Sequence, residues 1–121
     1  MKKVKCNQVS PLSHHITLDF YGCEVPSIDI ISNIFLQASK IANAELLEIK
    51  LHSFTGGGCT GVALLSESHM SIHTWPELDY LAIDIFMCGN ANSFKASEFI
   101  KESICYDTLK EHVIIRGDLI L

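Results

Sequence analysis

Hydrophobic and polar residues alternate along six segments of the chain. The clearest case runs from Tyr80 to Cys88, where every second residue, beginning with Leu81, is aliphatic or methionine. A period of two residues is typical of a β-strand that buries one of its faces. The alternation predicts strands at residues 15–23, 45–54, 60–66, 70–75, 80–88 and 111–116.

Two further segments are predicted to be helices, and the first of them repeats apolar residues every three or four positions, which indicates an amphipathic helix. The first is predicted to begin after Pro26, with Ser27 as its N-cap and Asp29 in its first turn, and to continue to about Ala44. Ser93 is expected to cap the second helix. The apolar residues of that helix are Phe94, Phe99, Ile100 and Ile104.

The order β-α-β-β-β-β-α-β predicts the α+β class, as a two-layer sandwich in which a mainly antiparallel sheet carries two helices on one face. The 121 residues are expected to form a single domain, residues 1–121. Residues 1–13 are polar and contain Pro11, so a poorly ordered arm is expected there. The uncovered face of the sheet and a hydrophobic fraction of 48% favour a homodimer.

The composition argues against several classes of partner and location. The formal net charge is −5 and no basic stripe is present, so nucleic acid is not an expected partner. No apolar run reaches the roughly 18 residues that a membrane span requires. The five cysteines include no C-x-x-C pair, and the basic N-terminus lacks the apolar stretch of a signal peptide. A reducing cytoplasm is therefore the expected location.

Polar residues crowd together at residues 64–77, between apolar strand segments. Burying them costs free energy unless they form hydrogen bonds, so the cluster indicates either a hydrogen-bonded structure or a functional site. His69 and His73 are four residues apart, as in helical zinc sites, but strand alternation separates them and no metal is predicted. Cys88 and His73 give a second hypothesis, a thiol–imidazole nucleophile pair. A third is that these side chains only cap a hairpin.

Residues 67–77, ESHMSIHTWPE, closely resemble the processing site of the bacterial and archaeal S-adenosylmethionine decarboxylase proenzymes. Residues 84–89, DIFMCG, follow at the distance found in that family, and residues 19–23 and 58–61 are similar to further family landmarks. The resemblance extends from about residue 15 to residue 117. A match over eleven residues is far more specific than a short motif, and it favours an enzyme over a hairpin cap.

The resemblance implies that the chain makes its own cofactor by cutting the peptide bond between Glu67 and Ser68. The products would be a beta chain of residues 1–67 and an alpha chain of residues 68–121. Ser68 would become a covalent pyruvoyl group, whose ketone takes up the substrate amine and draws electrons as carbon dioxide leaves.

Three further residues match family positions in processing and catalysis. His73 matches the processing base, since a neutral imidazole is available at neutral pH. Thr60 lies where family members carry a hydroxyl that supports processing. Cys88 matches the proton donor, and a thiol is a workable acid for that step. The glycines at 56–58 would let the backbone approach closely, although an ordinary hairpin loop explains them nearly as well.

The implied substrate is S-adenosylmethionine, whose decarboxylated product supplies aminopropyl groups for spermidine synthesis. Aromatic faces suit its adenine and its sulfonium cation; Phe54 matches the family's adenine-stacking position, and Trp75 lies nearby. Glu77 matches the residue that holds the ribose hydroxyls, since a carboxylate can accept both. The family builds its sites across a dimer interface, in agreement with the homodimer expected above. His69 has no implied role.

Two alternatives stay open. Pyruvoyl chemistry needs only an α-amino acid, so arginine or ornithine is an alternative substrate. The other alternative is a chain that is never cleaved and acts as a non-catalytic binding or regulatory partner. The presence of Glu67, Ser68, His73 and Cys88 together argues against that second alternative.

Overall fold

The computed structural model describes residues 11–120 and shows one six-stranded antiparallel sheet with two helices. The predicted α+β sandwich is therefore confirmed. In the described part of the chain, no helix has the length and apolar character needed to cross a membrane. The strands are β1 (Ser13–Tyr21), β2 (Leu46–Ser53), β3 (Cys59–Leu65), β4 (Ser68–Trp75), β5 (Tyr80–Cys88) and β6 (Thr108–Arg116), and the helices are α1 (Ile28–Ile41) and α2 (Ser93–Ser103).

The strand order across the sheet is β2-β3-β4-β5-β1-β6. Strands β2 to β5 form a meander, and a short 3-10 turn, Pro76–Leu78, joins β4 to β5. Strand β1 lies between β5 and β6 and pairs antiparallel with both along its whole length. The first strand of the chain is thus in the interior of the sheet and contacts the last.

One face of the sheet carries the hydrophobic core. Ile16, Leu18 and Phe20 of β1 are fully buried, and they belong to one apolar cluster with Phe35 of α1 and Ile100 of α2. Full burial of a side chain of this size stabilises the fold by about 1.5–3 kcal/mol. Alternation in the strands and the apolar stripes of the helices therefore fix both helices to this face.

The opposite face, which we call the open face, consists of the odd-numbered residues of β1 and β4 and the even-numbered residues of β3, β5 and β6. Large apolar side chains on it remain exposed. The dimer that would cover this face stays a prediction. The exposed apolar residues of the open face are Tyr21, Val62, Leu64, Trp75 and Ile114.

Helix α1 begins as predicted but ends earlier. The hydroxyl of Ser27 accepts a hydrogen bond from the backbone N–H of Ile30 at 3.4 Å, which confirms the N-cap. The helix ends at Ile41 rather than near Ala44, because Asn43 adopts a left-handed backbone with φ 60°. Asparagine tolerates this conformation and commonly ends helices.

The predicted cap of α2 is wrong. Asn92, not Ser93, is the N-cap, and its side-chain oxygen accepts hydrogen bonds from two backbone amides of the first turn. Ser93 is already helical, and its hydroxyl donates to the carbonyl oxygen of His14 at 2.7 Å instead. Both residue types are good caps, so the local sequence did not separate them.

Strand β1 begins and ends two residues earlier than predicted, and β6 is longer than predicted. Ser13 is buried and begins β1, so the predicted arm is wrong at that residue; residues 1–10 of the arm lie outside the described residues. Strand β6 begins at Thr108, because pairing with β1 continues to the end of that strand at Tyr21.

Candidate active site

Strands β3 and β4 are joined by a two-residue turn, Ser66 and Glu67. Glu67 has a φ of 62°, a left-handed conformation that bulky residues rarely adopt. The other described non-glycine residues with positive φ are Asn43 and Asp79, types that tolerate it. Such strain costs on the order of 1–3 kcal/mol. The strained residue therefore precedes Ser68, at the bond that the family resemblance marks for cleavage.

Cys88, the last residue of β5, contacts both sides of that bond. Its backbone N–H donates to the hydroxyl oxygen of Ser68 at 3.4 Å, and its thiol donates to the carbonyl oxygen of Glu67 at 3.0 Å. Ser68 is only 6% exposed, so its hydroxyl is largely shielded from water. We call Glu67, Ser68 and Cys88 the cleavage end of the β3–β4 hairpin.

The environment of Cys88 keeps its side chain protonated. Burial raises the pKa of the Cys88 thiol above its usual value, and the nearby Glu67 carboxylate raises it further. A hydrogen bond with Ser68 acts in the opposite direction but does not reverse the shift. The thiol is therefore neutral near pH 7 and can donate a proton, or a hydrogen bond to an oxygen that gains negative charge.

The other predicted site residues lie at the opposite end of β4. Thr60 and His73 face each other across the β3–β4 pair, with Thr60 Oγ1 3.2 Å from His73 Nδ1. The Trp75 ring lies 6.2 Å from the His73 ring, and a cavity of about 300 Å³ opens beside them. We call the predicted residues that line this cavity the binding end: Phe54, Thr60, His73, Trp75 and Glu77.

Thr74 is a functional candidate that the sequence analysis missed. Its buried hydroxyl oxygen accepts a hydrogen bond from the backbone N–H of Cys59 at 2.9 Å, just beyond the last β3–β4 pair, Thr60 with His73. The side chain thus prolongs the ladder by one bond and holds the strands together beside these two residues. The alternation of β4 assigns position 74 to the core, and a hydroxyl at a core position needs a hydrogen-bond partner. That signal could have identified Thr74.

The predicted close approach of the glycine loop is confirmed at one position. Gly58 has a φ of 86°, and a Cβ there would lie 2.9 Å from the carbonyl oxygen of Thr74. A Cβ at Gly56 would meet nothing within 4 Å. Only Gly58 is therefore required to be small by its contact with β4.

Within one chain, the two ends of the hairpin are far apart. Ser68 and His73 are five residues apart in β4, which corresponds to about 17 Å along an extended strand. Their side chains also point to opposite faces, since Ser68 is buried on the helix side and His73 lies on the open face. The structure therefore does not bring His73 to Ser68 or to Cys88, and the intrachain Cys88–His73 pair is not formed.

His69 belongs to a different cluster on the open face. Its Nε2 atom lies 3.3 Å from Asp84 Oδ2, and His15 Nε2 lies 2.7 Å from the same oxygen. Burial alone would raise the pKa of Asp84, but hydrogen bonds from Ser71 and His15 outweigh it and leave that pKa below its usual value. His69 and His73 therefore have separate partners and do not form the helical zinc pair considered above.

The protein-family model described as S-adenosylmethionine decarboxylase matches residues 14–117 of the chain. That range includes both ends of the hairpin and all of the predicted site residues. The chain belongs to the S-adenosylmethionine decarboxylase family.

Individual relatives agree with this assignment. An S-adenosylmethionine decarboxylase proenzyme of Thermoanaerobacter sp. is 34% identical over 113 residues, 90% of this chain and 91% of the relative. One from Methanococcus maripaludis is 49% identical over 81 residues, 64% of this chain and 66% of the relative. The crystal structure of the Aquifex aeolicus adenosylmethionine decarboxylase matches with a TM-score of 0.77 and 29% identity, covering 85% of this chain and 88% of that one.

Proposed function

We propose that the chain cuts itself between Glu67 and Ser68 and then decarboxylates S-adenosylmethionine, a reaction that yields an aminopropyl donor for spermidine synthesis. The names of its relatives support this substrate over arginine or ornithine. The observation that carries the proposal is the 3.0 Å contact of the Cys88 thiol with the Glu67 carbonyl, beside the Ser68 hydroxyl. A nucleophile, a strained peptide and a hydrogen-bond donor meet there.

In the first step, Ser68 Oγ attacks the carbonyl carbon of Glu67. The C–O bond forms, the peptide C–N bond breaks, and the hydroxyl proton passes to the nitrogen, so that an ester replaces the amide. The strained, left-handed backbone of Glu67 raises the free energy of the uncleaved turn, and the attack relieves this strain. The Cys88 thiol is aimed at the oxygen that becomes negative, and one such donor is typically worth about 10²–10³-fold in rate.

In the second step, a base removes the Cα proton of Ser68 and the Cβ–O bond breaks. This releases the carboxylate of Glu67 and leaves dehydroalanine at position 68, which tautomerises and takes up water to give a ketone and ammonia. His73 is the proposed base. Its contact with Thr60 at 3.2 Å supports the role, because it fixes the orientation of the imidazole.

Because His73 is remote from Ser68 in its own chain, we propose that each complete site is shared between two copies. A two-fold axis across the open face would place the binding end of one copy against the cleavage end of the other. The exposed apolar side chains of the open face, such as Val62, Leu64 and Ile114, support burial of that face.

Decarboxylation would use the pyruvoyl group formed from Ser68, which supplies an electron sink when the substrate amine is attached. The surroundings of Ser68 suit a small ketone, since the position is largely shielded from water. The neutral Cys88 thiol would return a proton to the substrate Cα. In the binding end, Phe54 and Trp75 offer aromatic faces to adenine and sulfonium, and Glu77 offers a carboxylate to the ribose.

The test is the intact mass of the purified protein, together with carbon dioxide release from S-adenosylmethionine, arginine and ornithine. We expect two fragments, 1–67 and 68–121, and release from S-adenosylmethionine alone. Ser68→Ala should give one uncleaved, inactive chain, whereas Ser66→Ala, which removes the neighbouring turn hydroxyl, should be cleaved and active. An active Ser68→Ala protein would overturn the proposal.

A further inference from the structure

A second convergence of side chains lies on the open face, the face opposite to that of the Ser68 side chain. His15 of β1 and His69 of β4 both pair with Phe86 of β5, one from each side. Asp84 lies two residues along β5 on the same face. One nitrogen of each imidazole and one carboxylate oxygen converge so that all three atoms lie within 4.8 Å of one another.

We propose that His15, His69 and Asp84 bind a divalent transition-metal ion of the zinc class. Two imidazole nitrogens and one carboxylate oxygen are a ligand set that such ions favour, with water completing the shell. Metal bonds of about 2.0–2.2 Å place neighbouring donors roughly 3.3–3.5 Å apart in a tetrahedral site. The two contacts to Asp84 Oδ2 are 2.7 and 3.3 Å, so the shorter one must lengthen on binding, and the two imidazole nitrogens lie within 4.8 Å of each other.

The strands and a further side chain prepare this site. The three ligands stand on three adjacent, hydrogen-bonded strands, so the sheet sets the spacing of their backbones before the ion binds. The hydroxyl of Ser71 donates to the other carboxylate oxygen of Asp84, which orients the carboxylate and leaves Oδ2 to the ion. The expectation of no metal rested on His69 and His73 alone. His15 and His69 are 69 and 15 residues from Asp84 in the chain, so no local spacing points to this site.

One group competes with the ion. Arg116 Nη1 lies 3.4 Å from His15 Nδ1, and its guanidinium lies 5.3 Å from the centre of the Phe86 ring. An imidazole that binds metal through Nε2 carries its proton on Nδ1 and cannot accept from arginine. Binding therefore requires Arg116 to leave Nδ1, and removal of this cation should tighten the site.

If the cleavage proposed above occurs, the ion joins the two products. His15 belongs to residues 1–67, whereas His69 and Asp84 belong to residues 68–121. His69 directly follows the new chain end at position 68. The ion would thus fasten that end to β1, and this consequence alone rests on the proposed function.

The experiment uses the full chain, freed of metal with a chelator and dialysed. Zinc is then titrated by calorimetry, and cobalt is followed by its visible absorption, which reports nitrogen and oxygen ligation. We expect about one zinc ion per chain, with binding at least tenfold weaker in His69→Ala and Asp84→Asn. Arg116→Met should bind more tightly than the wild type. His112→Ala, which removes another imidazole of the open face, should bind as the wild type does.

Two outcomes would overturn the proposal: no stoichiometric zinc in the wild type, or equal binding by the His69→Ala and Asp84→Asn variants. Either result would make the cluster a hydrogen-bonded network only. Circular dichroism verifies that each variant is folded, and His15→Gln provides a third ligand variant. Repeating the titration in Ser68→Ala separates the proposals, since zinc should bind to the uncleaved chain whether or not the processing scheme is correct.

Discussion

The two ends of β4 carry different groups of side chains. At the cleavage end, a strained turn, a buried hydroxyl and a thiol surround one peptide bond. At the binding end, an imidazole and aromatic rings line an open cavity. Strand β4 presents the Ser68 hydroxyl to the helix side and His73 to the open face, whereas the Cys88 thiol comes from the neighbouring strand β5. The two groups of candidate residues therefore do not meet within one chain, and the shared site proposed above would require a second copy.

The largest expected effect comes from mixing two inactive variants. Ser68→Ala lacks the nucleophile and His73→Ala lacks the base, so each should be uncleaved when produced alone. In a mixed dimer, one of the two shared sites is intact, and the His73→Ala chain should be cleaved. Mass spectrometry of co-expressed, differently tagged chains measures this. Absence of cleavage in verified mixed dimers would refute the shared site.

Cys88→Ala should slow cleavage by about 10²–10³-fold, since it removes the donor to the Glu67 carbonyl oxygen. Cys88→Ser should recover part of this rate, because a hydroxyl also donates. The exposed Cys105→Ala is the matched control and should be cleaved at the wild-type rate. Gel densitometry of freshly refolded chain gives the rates, and a wild-type rate in Cys88→Ala would argue against the thiol as an oxyanion donor.

The raised pKa of Cys88 predicts how cleavage depends on pH. The thiol form is required, so the rate should hold at mildly alkaline pH and fall only above the usual thiol range. Beyond the raised pKa, the fall should approach tenfold per pH unit. Cys88→Ser does not titrate there and should lack this fall. A decline that begins below pH 8 in the wild type would contradict the assignment.

Glu67→Asn should relieve the strain at the scissile bond, because asparagine tolerates a positive φ. If the strain assists the acyl shift, cleavage should slow by roughly tenfold, the equivalent of about 1.4 kcal/mol within the range for such strain. In the Ser68→Ala background, the same change should raise the free energy of unfolding in urea. Equal rates and equal stabilities would show that the turn stores no usable strain.

The smallest expected effect on cleavage lies at the binding end. Thr74→Val leaves the Cys59 N–H without its acceptor and should lower the free energy of unfolding by about 1–3 kcal/mol. Thr74→Ser keeps the acceptor and should retain most of the wild-type free energy of unfolding. If Thr74 also positions the neighbouring Thr60 and His73, cleavage should slow in the valine variant and recover in the serine variant. Urea titrations measure the stability, and gel densitometry measures the cleavage rate, so the two effects are separated.

Much of the fold was predictable because strand alternation and helical spacing are local signals. The errors occur where equivalent residues compete for one task, as Asn92 and Ser93 do at the cap, or where a distant partner extends an element, as β1 extends β6. The site residues came from the motif, but their grouping did not. Cys88 and Glu67 are 21 residues apart, so their contact depends on β5 lying beside β4. No short pattern encodes such a contact.

The strand order also determines what holds the product together. If the chain is cut after Glu67, one fragment supplies β1, β2 and β3, and the other supplies β4, β5 and β6. In the order β2-β3-β4-β5-β1-β6 the fragments alternate, so three of the five ladders join different fragments. Strand β1 of the first fragment is inserted between β5 and β6 of the second. Separating the fragments would require most of the sheet to unravel, and loss of either fragment should therefore coincide with global denaturation.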